Sequence, residues 1–114
     1  MTNLVEKPWG TYEVLISSEN YLAKRIVVYP NGRLSLQSHS HRSEHWVIVE
    51  GEGVVQRGEE EFKLKRDESV NIPVGVRHRI SNLTSSNVIF IEVQIGDLLS
   101  EDDIVRYEDV YGRK

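Results

Sequence analysis

The sequence of 114 residues contains no cysteine. Disulfide bonds, thiolate metal ligands and cysteine nucleophiles are therefore excluded. A basic block is also absent, and the 14 lysines and arginines are outnumbered by 18 acidic residues. Such a block is what tracks nucleic acid or an anionic membrane surface. We therefore expect no nucleic-acid partner.

Long apolar runs are absent as well. No segment approaches the roughly 20 apolar residues that a membrane-spanning helix needs. Residues 1–7 lack the apolar core of a signal peptide. We expect a cytoplasmic protein without membrane contact. A chain of this length corresponds to one domain, residues 1–114, which can bury roughly two-thirds of the surface of its unfolded chain.

Helical periodicity is nearly absent, and short runs of alternating or β-branched residues dominate from residue 11 to residue 95. Gly, Asn, Pro and Ser separate these runs, which is typical of an antiparallel sandwich or barrel. An all-β fold is therefore predicted. The predicted strands cover residues 12–16, 22–28, 33–38, 45–49, 53–57, 61–65, 69–72, 76–81 and 87–95.

Two connections in this pattern carry a specific prediction. Gly58 separates two strand-like runs and supplies a positive φ cheaply, so a tight hairpin is predicted there. A short C-terminal tail follows the last strand at residues 97–114. Within it, Ser100 and Asp103 form an approximate capping box, which predicts a helical turn. The tail beyond this turn is expected to fold back over the barrel.

All four histidines lie in two short segments, residues 37–45 and 73–78, that are flanked by strand-like sequence. Side chains on a strand repeat with a period of two, so Gln37 and His39 share one face. Glu44 opens the next apolar run, and His78 stands where apolar and polar residues alternate. The sequence therefore predicts a divalent-metal site formed by Gln37, His39, Glu44 and His78.

Glu44 supports the metal, because a carboxylate directed into a barrel is costly without a cation or another partner. Two imidazole nitrogens and two oxygen donors suit Zn²⁺, although Mn²⁺, Co²⁺, Ni²⁺ or Fe²⁺ would also fit. The alternative is a buried polar network in which Gln37, His39 and His78 bond to one another.

The two histidine segments resemble the paired motifs of the cupin family. Motif 1, at about residues 32–51, has Gln37 where the family has its first histidine. Motif 2, at about residues 67–82, has Asp67 where the family has glycine. The positions that match are Gly32, His39, Glu44 and Gly51 in motif 1, and Pro73, Gly75, His78 and Asn82 in motif 2. The resemblance implies a single-domain cupin, a jelly-roll or double-stranded β-helix barrel.

Within the cupins, the chain from about residue 7 to residue 113 is similar to the type II mannose-6-phosphate isomerase domain. The resemblance rests on residues 8–13, 34–37, 41–46, 72–75, 91–94, 101–109 and 111–113. It implies a metal-dependent isomerase that interconverts mannose 6-phosphate and fructose 6-phosphate. In that family the domain often follows a mannose-1-phosphate guanylyltransferase, an activity that we do not expect from these 114 residues.

An isomerase of this kind needs an anchor for the phosphate and a base. Arginine grips phosphate through paired hydrogen bonds, so Arg42, Arg106 and Arg113 are the candidates, while Arg77 and Arg79 alternate away from His78 and are expected to face outward. His41 is either a solvent-facing loop residue or a substrate contact. The base is left open among Asp109, Glu108, a water on the metal, His45 and His41.

Alternation alone turns His45 away from Glu44, but the resemblance places functional weight on the cluster of Arg42, Glu44 and His45. The predicted catalytic group is therefore Arg42, His45, Arg106 and Asp109, and the predicted substrate-binding group is His41, Arg42, Arg106 and Arg113. Val110, where many relatives carry arginine, favours a second hypothesis, a non-catalytic metal cupin that binds or senses a sugar phosphate. A third, a metal-dependent oxygenase, is weakened by Gln37.

The run that follows Glu44 also predicts a partner. Trp46 and Ile48 alternate with Val47 and Val49, so one apolar series faces the core and the other faces outward. Together with the unsealed edges of so short a sandwich, this outward series predicts a homodimer.

Overall fold

A computed structural model describes residues 3–112, which form eleven β-strands. The strands are β1 Leu4–Lys7, β2 Gly10–Ser17, β3 Tyr21–Val28, β4 Leu36–Ser38, β5 Arg42–Glu50, β6 Glu52–Arg57, β7 Glu60–Lys65, β8 Ser69–Ile72, β9 His78–Ser81, β10 Val88–Gly96 and β11 Val105–Glu108. They build a six-stranded sheet in the order β1-β2-β3-β10-β5-β8 and a five-stranded sheet in the order β11-β4-β9-β6-β7. No helix in the described part of the chain is long and apolar enough to cross a membrane.

The all-β prediction is confirmed, and each of the nine predicted strands has a counterpart. The hairpin at Gly58 is present, with Arg57 paired to Glu60 across the turn. Two predicted strands are shortened at their starts, residues 33–38 to β4 and residues 76–81 to β9, and the first loses more. Arg33 makes only an isolated bridge to Ser81, and the Leu34 carbonyl accepts a hydrogen bond from the Arg79 guanidinium at 3.1 Å instead of one from a neighbouring strand.

The tail differs most from its predicted form. Residues 100–103 form a hydrogen-bonded turn and not the predicted turn of helix. The Asp103 amide closes this turn by donating to the Ser100 carbonyl at 3.1 Å. The Asp103 side chain is engaged elsewhere, because it accepts from the amides of Ser40 and His41. Beyond the turn, β11 adds to the edge of β4, so the tail folds back as a strand of the second sheet.

The core lies between the inner faces of the two sheets. Inward positions on β5 and β10 alternate with exposed or half-buried ones, as the period of two requires. The largest fully buried side chains include Trp46, Ile48 and Phe90. The full apolar cluster comprises Trp9, Ile26, Val28, Trp46, Ile48, Val55, Leu64, Val70, Ile72, Ile80, Val88 and Phe90.

Two residues of the second motif serve the fold. Asp67 adopts a φ of 75°, which explains why the motif favours glycine there and why aspartate, which tolerates this region better than most residues, is an acceptable substitute. Asn82 is fully buried, and its side-chain amide donates to the carbonyls of Val28 and Ser86. This amide holds the loop between β9 and β10 against β3.

Candidate metal centre

Three of the four predicted ligands meet at one end of the space between the sheets. His39 follows β4, Glu44 lies in β5 and His78 begins β9. Their ligand atoms all lie within 4.8 Å of one another, and the three residues are buried. The distance from Glu44 Oε2 to His39 Nε2 is 3.2 Å, and from Glu44 Oε1 to His78 Nε2 it is 3.7 Å. This group could hold a metal ion.

The hydrogen bonds of the two imidazoles fit that use. His39 Nδ1 lies 2.7 Å from the Asp103 carbonyl, and His78 Nδ1 lies 2.9 Å from the Val76 carbonyl. A carbonyl only accepts, so each Nδ1 carries the proton and donates it. In the neutral rings both Nε2 atoms then present lone pairs toward Glu44. Backbone carbonyls that orient ligating histidines in this way are a regular feature of metal sites.

Gln37, the fourth predicted ligand, lies in β4 directly opposite His78 in the strand register. Its side chain lines the same cavity as the three buried ligands. The amide nitrogen of Gln37 donates to the Ser35 hydroxyl at 3.0 Å. The amide oxygen is therefore the atom that could reach a metal, and with it the site would have the expected two nitrogen and two oxygen donors.

Arg42 contacts two members of this cluster through its guanidinium group. Its Nε donates to Glu44 Oε2 at 2.8 Å, its Nη2 lies 3.2 Å from His39 Nε2, and its Nη1 donates to the Ser100 carbonyl at 3.3 Å. Trp46 donates its indole N–H to the other carboxylate oxygen of Glu44. Arg42, Glu44, His39 and Trp46 therefore form a buried polar network, which differs from the expected alternative because Gln37 and His78 bond to Ser35 and to the Val76 carbonyl instead. A metal at His39 Nε2 would displace the Arg42 contact, because one lone pair cannot serve both.

Electrostatics keep Glu44 ionised. Burial raises its pKa, but the charges of His78, Arg42 and His39 outweigh burial and lower the pKa to about 2. The pKa of His39 is lowered, mainly by burial and also by Arg42, against the opposing effect of Glu44. Binding of a divalent cation requires the carboxylate to be ionised and both imidazoles to be neutral, so the positive charge of the cation would take the place of any proton on the two Nε2 atoms.

The structure adds charged residues that the sequence did not single out. Glu92 and Gln94 point inward from β10, and Gln94 donates to Glu92 at 2.7 Å. Burial and the charge of Glu44 raise the pKa of Glu92 to about 8. Lys24, on the inner face of β3, is paired by register with Glu92. Lys24, Glu92 and Glu101 all line the cavity that holds the metal cluster.

Sequence reasoning missed Glu92 for a physical reason. Residues 89–95 alternate with isoleucine and valine in one phase and Glu92 and Gln94 in the other, which would normally place the polar phase outside. The polar phase is inside here. The one available signal was that Val88 and Phe90, both fully buried, are in phase with Glu92.

We call the turn at residues 100–103 the tail turn. Its backbone carbonyls accept hydrogen bonds from side chains of the cluster. The Asp103 carbonyl accepts from His39, and the Ser100 carbonyl accepts from Arg42. The Asp103 carboxylate accepts from two backbone amides of the loop between β4 and β5, at 2.8 and 2.9 Å. Burial raises the pKa of Asp103, and these amides lower it by more. The tail turn therefore fixes both a ligand and the loop that carries it.

Several predicted site residues lie elsewhere. His45 is exposed on the outer face of β5, as its position next to Glu44 in a regular strand predicted, and it is not among the residues that line the cavity. His41 is exposed in the loop and is not among the residues that line the cavity. Asp109 follows β11, half-buried and also outside the cavity lining. Arg113 lies outside the described residues.

The arginines divide in an unexpected way. Arg106, in β11, lines the cavity as a phosphate anchor would, and Arg77 is exposed as expected. Arg79 was expected to face outward, and this prediction is wrong, since only 3% of the residue is exposed. Its guanidinium is bound to the Leu34 carbonyl and to Glu108 at 2.9 Å. The tail strand β11 shields Arg79 from solvent, and the sequence pattern of β9 gives no sign of this shielding.

Comparison with known proteins agrees with this geometry. Residues 1–109 match the model of the family described as mannose-6-phosphate isomerase C-terminal. The xanthan biosynthesis protein XanB of Xanthomonas campestris is 49% identical over 109 residues, covering 96% of this chain and 23% of XanB. The alginate biosynthesis protein AlgA of Pseudomonas aeruginosa is 44% identical, with the same coverage. The chain thus spans about a quarter of the length of these relatives.

Solved structures support the fold. The cupin domain of Cnp3 from Schizosaccharomyces pombe superposes with a TM-score of 0.77 at 19% identity, covering 83% of this chain and 69% of that domain. Identity at this level shows the fold alone. The cupin architecture expected from the paired motifs is therefore confirmed.

Proposed function

Because the chain belongs to the family of mannose-6-phosphate isomerase C-terminal domains, we propose that it is a metal-dependent isomerase that interconverts mannose 6-phosphate and fructose 6-phosphate. The observation that carries this proposal is the buried cluster of His39, Glu44 and His78 in the wall of a cavity with further charged side chains. Moving a proton between adjacent sugar carbons requires a polarised carbonyl, a positioned proton acceptor and an anchor for the phosphate. The cavity offers a candidate for each role.

For the first role, Gln37, His39, Glu44 and His78 would hold one divalent ion, with Zn²⁺ as the leading candidate. Such an ion supplies Lewis-acid stabilisation of the negative charge that develops on the sugar oxygens. The chain contributes by fixing the tautomers of His39 and His78 through backbone carbonyls and by keeping Glu44 ionised.

For the second role, Glu92 is the best-placed carboxyl group. It lines the cavity, is buried on the inner face of β10, and accepts a hydrogen bond from Gln94 at 2.7 Å. His41, His45 and Asp109 are outside the cavity lining. Glu108 is directed to Arg79. Because its pKa is raised to about 8, Glu92 must first lose its own proton; the resulting carboxylate would then take the proton from one sugar carbon and return it to the next, so that the carboxylate is regenerated after each turnover.

For the third role, we propose Arg106, which lines the cavity from the tail strand. Arg42 is less suitable as a phosphate anchor, because Glu44, His39 and Ser100 already engage its guanidinium. Arg42 would instead position the Glu44 carboxylate. Removing the Arg106 side chain is expected to reduce kcat/KM by about ten- to a hundredfold, the range for a lost hydrogen bond to a charged group.

A coupled assay for fructose 6-phosphate, run together with elemental analysis of the purified protein, tests this proposal. We expect turnover with about one divalent ion per chain, loss of both in His78→Ala, and loss of turnover with retained metal in Glu92→Gln. Glu61→Gln, at an exposed position of β7, is the matched control. Binding of mannose 6-phosphate without turnover would overturn the isomerase proposal in favour of a sugar-phosphate sensor.

A further inference from the structure

A second charged pair in the cavity has no part in the proposed chemistry so far. Lys24 Nζ and Glu101 Oε2 are 2.8 Å apart. The two side chains differ sharply in exposure, at 7% for Lys24 and 66% for Glu101. The lysine belongs to β3, in the middle of the six-stranded sheet, whereas the carboxylate belongs to the tail turn. A buried cation is thus neutralised by a surface group.

The surroundings of Lys24 are suited to holding an ammonium group in place. Its Nζ lies 4.3 Å from the centroid of the Tyr12 ring, within the range of a cation–π contact. Lys7 lies at 6.0 Å from the same ring and also lines the cavity. A buried ammonium without a counter-charge would be costly, so Lys24 requires an anion at this position.

Glu101 is a weak anionic partner for Lys24. Its side chain is 66% exposed, so water competes for the carboxylate, and holding the side chain in place costs entropy. A phosphate monoester carries a larger charge and three acceptor oxygens, and its hydrogen bonds to ammonium groups are strong. An anionic ligand in the cavity could therefore replace Glu101 at Lys24 without leaving a buried charge unpaired.

Lys24 also lies at a distance from the metal cluster that one elongated ligand could span. Lys24 and Trp46 are both paired by register with Glu92, so they lie on either side of β10. With neighbouring strands about 4.8 Å apart, their backbones are roughly 10 Å apart. Glu44 is the next inward residue on β5. One elongated ligand could contact Lys24 at its anionic end and the metal cluster at its other end.

We infer that Lys24 is a phosphate-binding residue and that Glu101 is an internal competitor that occupies it until a sugar phosphate enters. This inference rests on the proposed function in that it places the substrate's phosphate in the same cavity. Arg106 lies across the cavity, in the second sheet, so Lys24 adds a second cationic contact rather than replacing the first.

Calorimetric titration with a hexitol 6-phosphate tests the inference without turnover, because this ligand has no carbonyl and cannot be isomerised. Lys24→Met should weaken its binding by about ten- to a hundredfold, as expected for a hydrogen bond between charged groups. Glu101→Gln should tighten binding about three- to tenfold by removing the competitor. Asp102→Asn, an exposed position in the same tail turn, is the matched control and should bind as the wild type does.

The double variant Lys24→Met/Glu101→Gln separates competition from a general charge effect. If Glu101 acts only by occupying Lys24, Glu101→Gln changes affinity in the wild type but not in Lys24→Met. An equal gain in both backgrounds would overturn the competitor role. Lys24→Met/Glu92→Gln, which removes the buried carboxyl next to Lys24 as well, maintains the test if Lys24→Met alone folds poorly.

Two further measurements locate a failure. Inorganic phosphate should lose affinity in Lys24→Met by a similar factor if Lys24 binds the phosphate group, whereas the neutral sugar mannose should be unaffected. Lys24-dependent binding in a protein without isomerase activity would preserve this inference and refute only the proposed reaction. Turnover with an unchanged KM in Lys24→Met would refute the inference and preserve the reaction.

Discussion

Two neighbouring rows of side chains on the same three strands have opposite character. Ile48, Phe90 and Ile26 are aligned across β5, β10 and β3 and form an apolar row. Two residues further along each strand, Trp46, Glu92 and Lys24 are aligned in the same way. We call this second row the charged row, because two of its three side chains are ionisable. The strand geometry and the burial are the same in both rows, so the difference lies in what the buried groups require of their neighbours.

The apolar row requires only volume, whereas the charged row requires partners. Apolar groups are stabilised by leaving water, in proportion to the area buried. Buried ionisable groups cost stability unless each is neutralised or hydrogen bonded. In the charged row, Glu92 accepts a hydrogen bond from Gln94 on its own strand, whereas Lys24 depends on Glu101 of the distant tail turn. We expect the first row to dominate stability and the second to dominate function.

The largest effect on stability is expected from Phe90→Ala in the apolar row. Phe90 is fully buried, so its truncation removes a large transfer free energy and leaves a cavity, at a cost of about 3–5 kcal/mol. Urea denaturation monitored by circular dichroism measures this. Ile95→Ala, on the same strand but 49% exposed, is the control and should cost far less. Similar midpoints for the two variants would contradict the assignment of stability to the apolar row.

The next largest effect concerns the metal. Free ion at about a hundred times its Kd should stabilise the wild-type fold by about 2.7 kcal/mol, and chelation should remove this stabilisation. His78→Ala should not respond to the ion, because it lacks one imidazole ligand of the cluster. Thermal denaturation with and without chelator measures both proteins. Equal stabilisation of wild type and variant would show that the ion binds somewhere else.

A smaller, pH-dependent effect is expected from Glu92→Gln in the metal-free protein. The pKa of Glu92 is raised by burial and by Glu44 to about 8, so its contribution to stability is complete below the ordinary value of 4.5 and is lost as pH rises toward 8. Glutamine does not titrate. The variant should therefore gain melting temperature relative to the wild type between pH 4.5 and pH 8. A difference independent of pH across this range would contradict the burial of an ionisable carboxyl in the charged row.

The smallest effect on the fold is expected on the outer side of the same strands. Val47 and Val49 are 41% and 42% exposed, opposite the inward Trp46 and Ile48. We propose that this outer face mediates a homodimer. Val47→Glu should shift the mass measured by light scattering from two chains to one, while the unfolding free energy of the monomer changes by less than about 0.5 kcal/mol. A wild type that remains one chain at micromolar concentration would refute the dimer.

Much of the site was predictable because its ligands lie close together in sequence. His39 and Glu44 flank one short loop in the first motif, and His78 begins β9 within the second. The spacing of both motifs is kept even where Gln37 and Asp67 depart from them. The strands were predictable for a similar reason, since alternation and turn residues act over a few positions. Both are local properties, and a single sequence contains all the information that they need.

The tertiary structure alone determined which distant groups meet. The inward orientation of Glu92 depends on the register of β10 against β3 and β5, and the alternation of its own strand suggested the reverse. The burial of Arg79, the support of His39 by Asp103 and the pairing of Lys24 with Glu101 all depend on the path of the tail. Local sequence sets the period of a strand, but the partners of a buried charge are set by the free energy of the whole fold, because each such charge must be compensated by whichever segment reaches it.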